Sequence, residues 1–302
     1  MSGPGSAPAP GVDATVHALT HPGCVRADNQ DCFLVADLSA PASRGPWRVG
    51  TDPGRAAGAE RFAVGPRGLL AVVADGMGGA AAGATASRLA VAEVFAAMSQ
   101  PWPADARPAP GLFARRLREA VEGANEAIHR HARREPGCAG MGTTLTAAGI
   151  LDARLVVAQV GDSRAYLVRG GAATQLTRDQ SLAQSLLDAG TLTAREAERR
   201  GLASVLLQAL GTEPRVAVDV YWQRLRRGDV LVLCSDGLSR IVADREIAAR
   251  AGRAPDPAAL CGELLEAAIA RGAPDNVTVL AARLDGAGLE ASAGRDGDAP
   301  RR

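Results

Sequence analysis

The chain has 302 residues, 47% of them hydrophobic but only 3% aromatic, and a formal net charge of +1, so its core must be built largely from Ala, Val and Leu. A charge so close to zero gives no electrostatic case for nucleic acid or a membrane surface as partner. All 34 basic residues are arginines, and the absence of lysine excludes a Walker-type nucleotide loop, a protein kinase and a Schiff-base enzyme, each of which depends on an ammonium group.

From the N-terminus, residues 1–10, which after Met1 are Ala, Pro, Gly and Ser, are expected to form a disordered tail. Strands are expected at 12–20 and 32–37, followed by a Pro/Gly/Arg-rich surface loop without period over 38–67. A strand at 69–75 runs into a helix at 80–98. A second helix covers 112–131, where Phe113, Leu117, Val121, Ala124 and Ile128 recur every three to four residues. Strands at 143–151, 154–162 and 164–169 follow, with hairpin or meander turns expected around Asp152-Ala153 and Asp162-Ser163. A charged helical region over 182–200 and strands at 229–236 and 276–283 complete the set, and a second disordered tail is expected over 285–302. Strands cluster apart from the long helices rather than alternating with them, which favours an α+β layered sandwich occupying 11–284 as one domain.

No apolar stretch is long enough to span a membrane. The five cysteines, Cys24, Cys32, Cys138, Cys234 and Cys261, form no Cys-x-x-Cys pair, and their odd number argues against a full disulfide framework. A cytoplasmic location fits that usage best.

Three apolar runs each end in a single aspartate: LLAVVAD in Asp75, VVAQVGD in Asp162 and VLVLCSD in Asp236. Asp31 and Asp275 stand just before two further strands. One strand-end aspartate is ordinary turn chemistry. Five converging at sheet ends would repel one another unless cations neutralise them, and oxygen ligands without a His or Cys cluster suit Mg²⁺ or Mn²⁺. The stretch VVADGMGG by itself remains open to three readings: a tight turn, a phosphate cradle of backbone N–H groups, or a metal bracket.

In order along about 12–284, VRADNQD, VVADGMGG, GMGTTLT, VGDSRAYLVRGG, QLTRDQS, LLQALG, GDVLVLCSDGL and APDNVTV resemble the metal-dependent protein phosphatases of the protein phosphatase 2C type, in their compact bacterial form. The resemblance implies a four-layer α-β-β-α sandwich: two antiparallel sheets flanked by helix pairs, with two Mn²⁺ or Mg²⁺ ions at one end. It implies that Asp75 bridges the ions, that Asp236 and Asp275 hold one, and that Asp31 and the Gly76 carbonyl serve the other. Asp162 resembles an aspartate that, with Asp236, can bind a third, weaker ion. Arg26 matches the arginine that grips substrate phosphate, a task suited to its planar fork. The implied reaction is hydrolysis of phosphoserine and phosphothreonine by a metal-bridging water, opposing serine/threonine kinases, in a monomer that binds phosphorylated proteins and neither nucleic acid nor membrane. Residues 180–220 match the family's mobile flap.

The pattern also departs from the family. Met77 stands where some members carry a histidine proposed as leaving-group acid, Gln30 replaces a glutamate, and Asp179-Gln180-Ser181 replaces Asp-His-Ser. A rival reading is a catalytically weak or inactive phosphatase fold serving as a binding module, and another is a phosphatase for small phosphoesters or for an anti-sigma-type protein. His129 and His131 read as surface residues, Cys234 as a core thiol, and His21 as the histidine nearest the site.

Overall fold

The computed structural model describes residues 11–40, 48–50, 59–102 and 109–291. Two antiparallel sheets stack face to face. One has the order β10-β9-β12-β13-β1-β4, formed by β10 (Ala172–Gln175), β9 (Arg164–Arg169), β12 (Val230–Cys234), β13 (Val277–Asp285), β1 (Asp13–His21) and β4 (Glu60–Ala63). The other has the order β11-β8-β7-β5-β2-β3, formed by β11 (Asp219–Arg224), β8 (Arg154–Val160), β7 (Leu145–Leu151), β5 (Leu69–Met77), β2 (Asp31–Asp37) and β3 (Arg48–Gly50), and the short β6 (Gly142–Thr143) pairs with the end of β5. Helices α1 (Ala80–Ser99) and α2 (Pro110–Arg134) cover the second sheet, and α6 (Asp244–Arg253) and α7 (Pro257–Ala270) cover the first.

Strand alternation explains the layering. Along β5, Leu70, Val72 and Ala74 face the α1/α2 layer, whereas Leu69, Ala71 and Val73 face the other sheet. Successive strand side chains point to opposite faces, so a strand covered on both sides reads as one unbroken apolar run. Small side chains allow close approach across these layers. Gly149 in β7 lies against the ring of Phe113, where a Cβ would collide. The α2 face expected from the sequence, Phe113, Leu117, Val121, Ala124 and Ile128, is fully buried.

Differences from the sequence reading are instructive. The Asp152-Ala153 turn closes a hairpin, but β8 and β9 do not pair: the turn at Gly161, with φ +99, carries the chain from one sheet to the other. The helical region over 182–200 is two helices, α3 (Leu182–Asp188) and α4 (Ala194–Arg199), with Gly190 at φ +65 between them. The segment 38–67 contributes edge strands to both sheets through β3 and β4; residues 41–47 and 51–58 lie outside the described residues. The expected tail from Asp285 begins as structure, because Leu289 is buried in the inter-sheet core and the Arg227 N–H donates to the Glu290 carbonyl at 2.8 Å. Residues 1–10 and 292–302, the rest of both expected tails, lie outside the described residues. Among the described residues no helix is long and apolar enough to cross a membrane.

Candidate active site

The strand-end aspartates meet at one end of the sandwich. Asp31 opens β2 directly opposite Asp75 in β5. Asp162 follows β8 at the crossing between sheets, Asp236 opens the single-turn helix α5 (Asp236–Ser239) after β12, and Asp275 stands two residues before β13. They surround a cleft of about 480 Å³ whose wall includes Arg26, Asp75, Gly76, Asp162, Asp236 and Asp275. Asp31 is the exception, fully buried beneath that wall.

Crowding and burial raise the proton affinity of this cluster. Burial pushes the Asp31 carboxyl up to about 7, against the hydroxyls of Thr278 and Ser235, which each donate to its Oδ2 at 2.7 Å. Asp75 is held well above the carboxylate range by burial, then by the charges of Asp31, Asp236, Asp162 and Asp275. Burial and Asp236 lift Asp162 to about 7, opposed by Arg240. Asp236 is raised by burial, with Arg240 opposing. Like-charged carboxylates in a low-dielectric site cannot all ionise without a counter-charge.

Two arginines supply part of that counter-charge. Arg26, more than half exposed, donates to Asp275 Oδ2 at 2.9 Å. Arg240, at the C-terminal end of α5, reaches Asp236 Oδ2 at 2.7 Å and Asp162 Oδ2 at 2.9 Å through one nitrogen, Nη2. The chain turns once between Asp236 and Arg240, so their i,i+4 spacing sets the two side chains on one face.

Several neighbours act only on position. Asn276, 4% exposed, donates from Nδ2 to the carbonyls of Pro22 at 3.0 Å and Asp28 at 2.9 Å and accepts the Gln30 N–H at 2.8 Å, clamping the loop that carries Arg26. Gly76 and Gly83 touch backbone to backbone, and a Cβ at Gly76 would strike the Gly83 carbonyl. Within VVADGMGG, Gly76 and Gly78 sit where a Cβ would collide with backbone, whereas Gly79 has open space. In the Asp-Gln-Ser run, Asp179 forms a two-pronged pair with Arg164, while Gln180 brackets Gly161, accepting its N–H at 2.8 Å and donating its own N–H to its carbonyl at 2.9 Å. That run therefore shapes the turn leading to Asp162. Ser181 caps α3.

No histidine is among the residues lining the cleft. His21 Nδ1 accepts the Gly23 N–H at 3.0 Å, and His129 Nδ1 lies 3.1 Å from the Gly211 carbonyl. Met77 does line the cleft, 37% exposed, and offers no proton. Burial pushes the Cys234 thiol up to about 12, as befits a core residue.

Among the described residues no three His, Cys, Asp or Glu side chains close into a ready cage, and Asp275, Asp162 and Asp236 are paired with arginines. The donor set nevertheless fits divalent cations. Asp31 Oδ1 and Asp236 Oδ1 are both buried without a hydrogen-bond partner, a costly condition that an oxygen-seeking cation relieves. The backbone carbonyl of Gly76 and water can complete such a shell.

Two stacked antiparallel sheets between helix pairs, with a carboxylate cluster at one end, are the fold of the protein phosphatase 2C class. The chain belongs to the protein phosphatase 2C family, whose sequence pattern matches residues 59–260. It is 39% identical over 249 residues to the serine/threonine protein phosphatase PstP of Mycobacterium tuberculosis, covering 82% of this chain. It spans about half, 45%, of that relative's length. It is 35% identical to the serine/threonine phosphatase Stp of Listeria monocytogenes, over 72% of this chain and 84% of that protein. A solved structure of the catalytic domain of PstP in complex with two manganese ions superposes with a TM-score of 0.70 at 33% identity, covering 91% of this chain and 99% of that one.

Proposed function

We propose that the chain is a serine/threonine protein phosphatase that hydrolyses phosphoserine and phosphothreonine with two Mn²⁺ or Mg²⁺ ions. The observation that carries this reading is the pair of buried, unpartnered carboxylate oxygens, Asp31 Oδ1 and Asp236 Oδ1, within a cluster of five aspartates. Asp31, Asp75, Asp236, Asp275 and the Gly76 carbonyl would hold the ions. Bound there, divalent cations acidify water for attack on phosphorus and neutralise the phosphoryl oxygens.

The chain's own residues do the rest. Arg26 stands at the cleft mouth on a mobile-length side chain and is paired through one nitrogen to Asp275, so an entering phosphate dianion can compete for its fork. Hydroxyls of Ser235 and Thr278 fix Asp31 from the opposite sheet, which sets the spacing of the two halves of the cluster. Water is left to protonate the departing serine or threonine oxygen, since neither Met77 nor a histidine offers a proton in the cleft. The intact acidic set disfavours the inactive-module reading.

The substrates are phosphorylated proteins, serine/threonine kinases and their targets among them, and the chain acts as a monomer in the cytoplasm. Five free cysteines, Cys32, Cys234 and Cys261 of them buried, support a reducing compartment. The test is phosphate release from a phosphothreonine peptide by protein stripped with EDTA and then titrated with Mn²⁺. Turnover that appears only with the ion is expected; turnover independent of it, or none at any Mn²⁺ concentration, would remove the proposal.

A further inference from the structure

The acidic cluster contains one side chain that the ligand set does not use. Arg240 places a single nitrogen 2.7 Å from Asp236 Oδ2 and 2.9 Å from Asp162 Oδ2, the position an ion shared by those two carboxylates would need. A cation bound to both oxygens at about 2.0–2.6 Å would sit in contact with Nη2, so guanidinium and ion exclude each other there.

Arg240 is also built to stay. Its own side chain is 36% exposed, but it is tethered one helical turn from Asp236, its backbone N–H donates to the Asp236 carbonyl at 3.0 Å, and it contacts two carboxylates that are only 6% (Asp162) and 13% (Asp236) exposed. Arg26, by contrast, holds one carboxylate at the open rim. Asp236 meets Arg240 through Oδ2, while its buried Oδ1 makes no hydrogen bond and is available to an ion.

Charge counting leads the same way. Five carboxylates are balanced by two divalent ions and the Arg240 guanidinium, leaving Arg26 for the substrate phosphate. A third divalent ion added beside Arg240 would leave two uncompensated positive charges in a partly buried site, which is unfavourable.

We infer that Arg240 is a built-in cation that occupies the Asp162–Asp236 pair and limits the centre to two divalent ions. Asp162 is then a partner of Arg240 rather than a metal ligand. The inference rests on the divalent-metal reading of the cluster proposed above.

The experiment counts bound Mn²⁺ per chain by native mass spectrometry, backed by equilibrium dialysis with elemental analysis, from micromolar to millimolar Mn²⁺. Wild type is expected to saturate at two ions, and Arg240→Lys, which keeps the charge, to do the same. Arg240→Gln and Arg240→Ala should accept a third, binding at least ~10-fold more tightly than any third ion on wild type. Asp162→Asn in the otherwise natural chain should still bind two, which tests the inference even if the Arg240 variants fold poorly. A third ion on wild type in this range overturns the inference while leaving the phosphatase reading standing, as does an Arg240→Gln protein that stays at two or an Asp162→Asn protein that drops to one. A count of zero on wild type overturns both.

Discussion

Replacing Asn276 with alanine should loosen the loop that carries Arg26 without touching substrate or ion directly. The side chain is 4% exposed and makes three hydrogen bonds, at 2.8, 2.9 and 3.0 Å, to Gln30, Asp28 and Pro22. Neutral hydrogen bonds of this kind contribute about 0.5–1.5 kcal/mol each, and a donor or acceptor left dry costs more. The three partners are backbone groups at a partly exposed rim, so water replaces some of the lost contacts, and a destabilisation of ~2–4 kcal/mol is expected. The loop's position on Asp275 also weakens, so KM for a phosphothreonine peptide should rise more than kcat falls. Urea unfolding at constant slope measures the first effect and steady-state kinetics the second. A shift below ~0.5 kcal/mol with KM unchanged would refute the claim that Asn276 clamps this loop.

The acidic cluster predicts an unusual pH dependence for metal-free protein. Asp31 and Asp162 are raised to about 7 from 3.8, so the folded state keeps protons that the unfolded chain releases. Their stabilising contribution is complete below pH 3.8 and is lost as pH rises through about 7. Melting temperature in EDTA should therefore fall from mildly acidic to mildly alkaline pH, and saturating Mn²⁺ should abolish or reverse the fall; a flat or rising profile in EDTA would contradict the burial of these groups. Arg26→Ala should change stability by less than ~1 kcal/mol, since its pair with Asp275 is exposed, yet raise KM for phosphopeptide by roughly tenfold or more. An unaltered KM would take Arg26 out of phosphate binding.

The sequence exposed the centre of the site more readily than its supports. LLAVVAD, VVAQVGD and VLVLCSD could be read because a strand buried on both faces is an unbroken apolar run, and a carboxylate at its end stands out. Helix α7 escaped that reading because, with Leu260, Cys261, Leu264, Leu265 and Ile269, it is apolar over much of its surface and shows no clear stripe. The edge strands β3, β4 and β10 are three to four residues of mixed polarity, whose pairing depends on the sheet already being present. The turn at Asp162-Ser163 looked like a hairpin locally, and only the packing of two sheets reveals that it crosses between them. Ser235, Thr278 and Asn276 act on residues more than 200 positions away, which no local pattern displays. Arg240 was legible in principle: an arginine four residues after Asp236 on a helical turn is an i,i+4 pair.

The central claim is tested most directly by comparing wild type with Asp75→Asn, both saturated with Mn²⁺, for release of inorganic phosphate from a phosphothreonine peptide. Asp75 faces every other carboxylate of the cluster, and its loss should lower kcat/KM by at least ~100-fold while the protein still unfolds cooperatively. Wild-type turnover abolished by EDTA, restored by Mn²⁺ and missing in Asp75→Asn is the predicted result. Equal turnover in the two proteins would contradict the account.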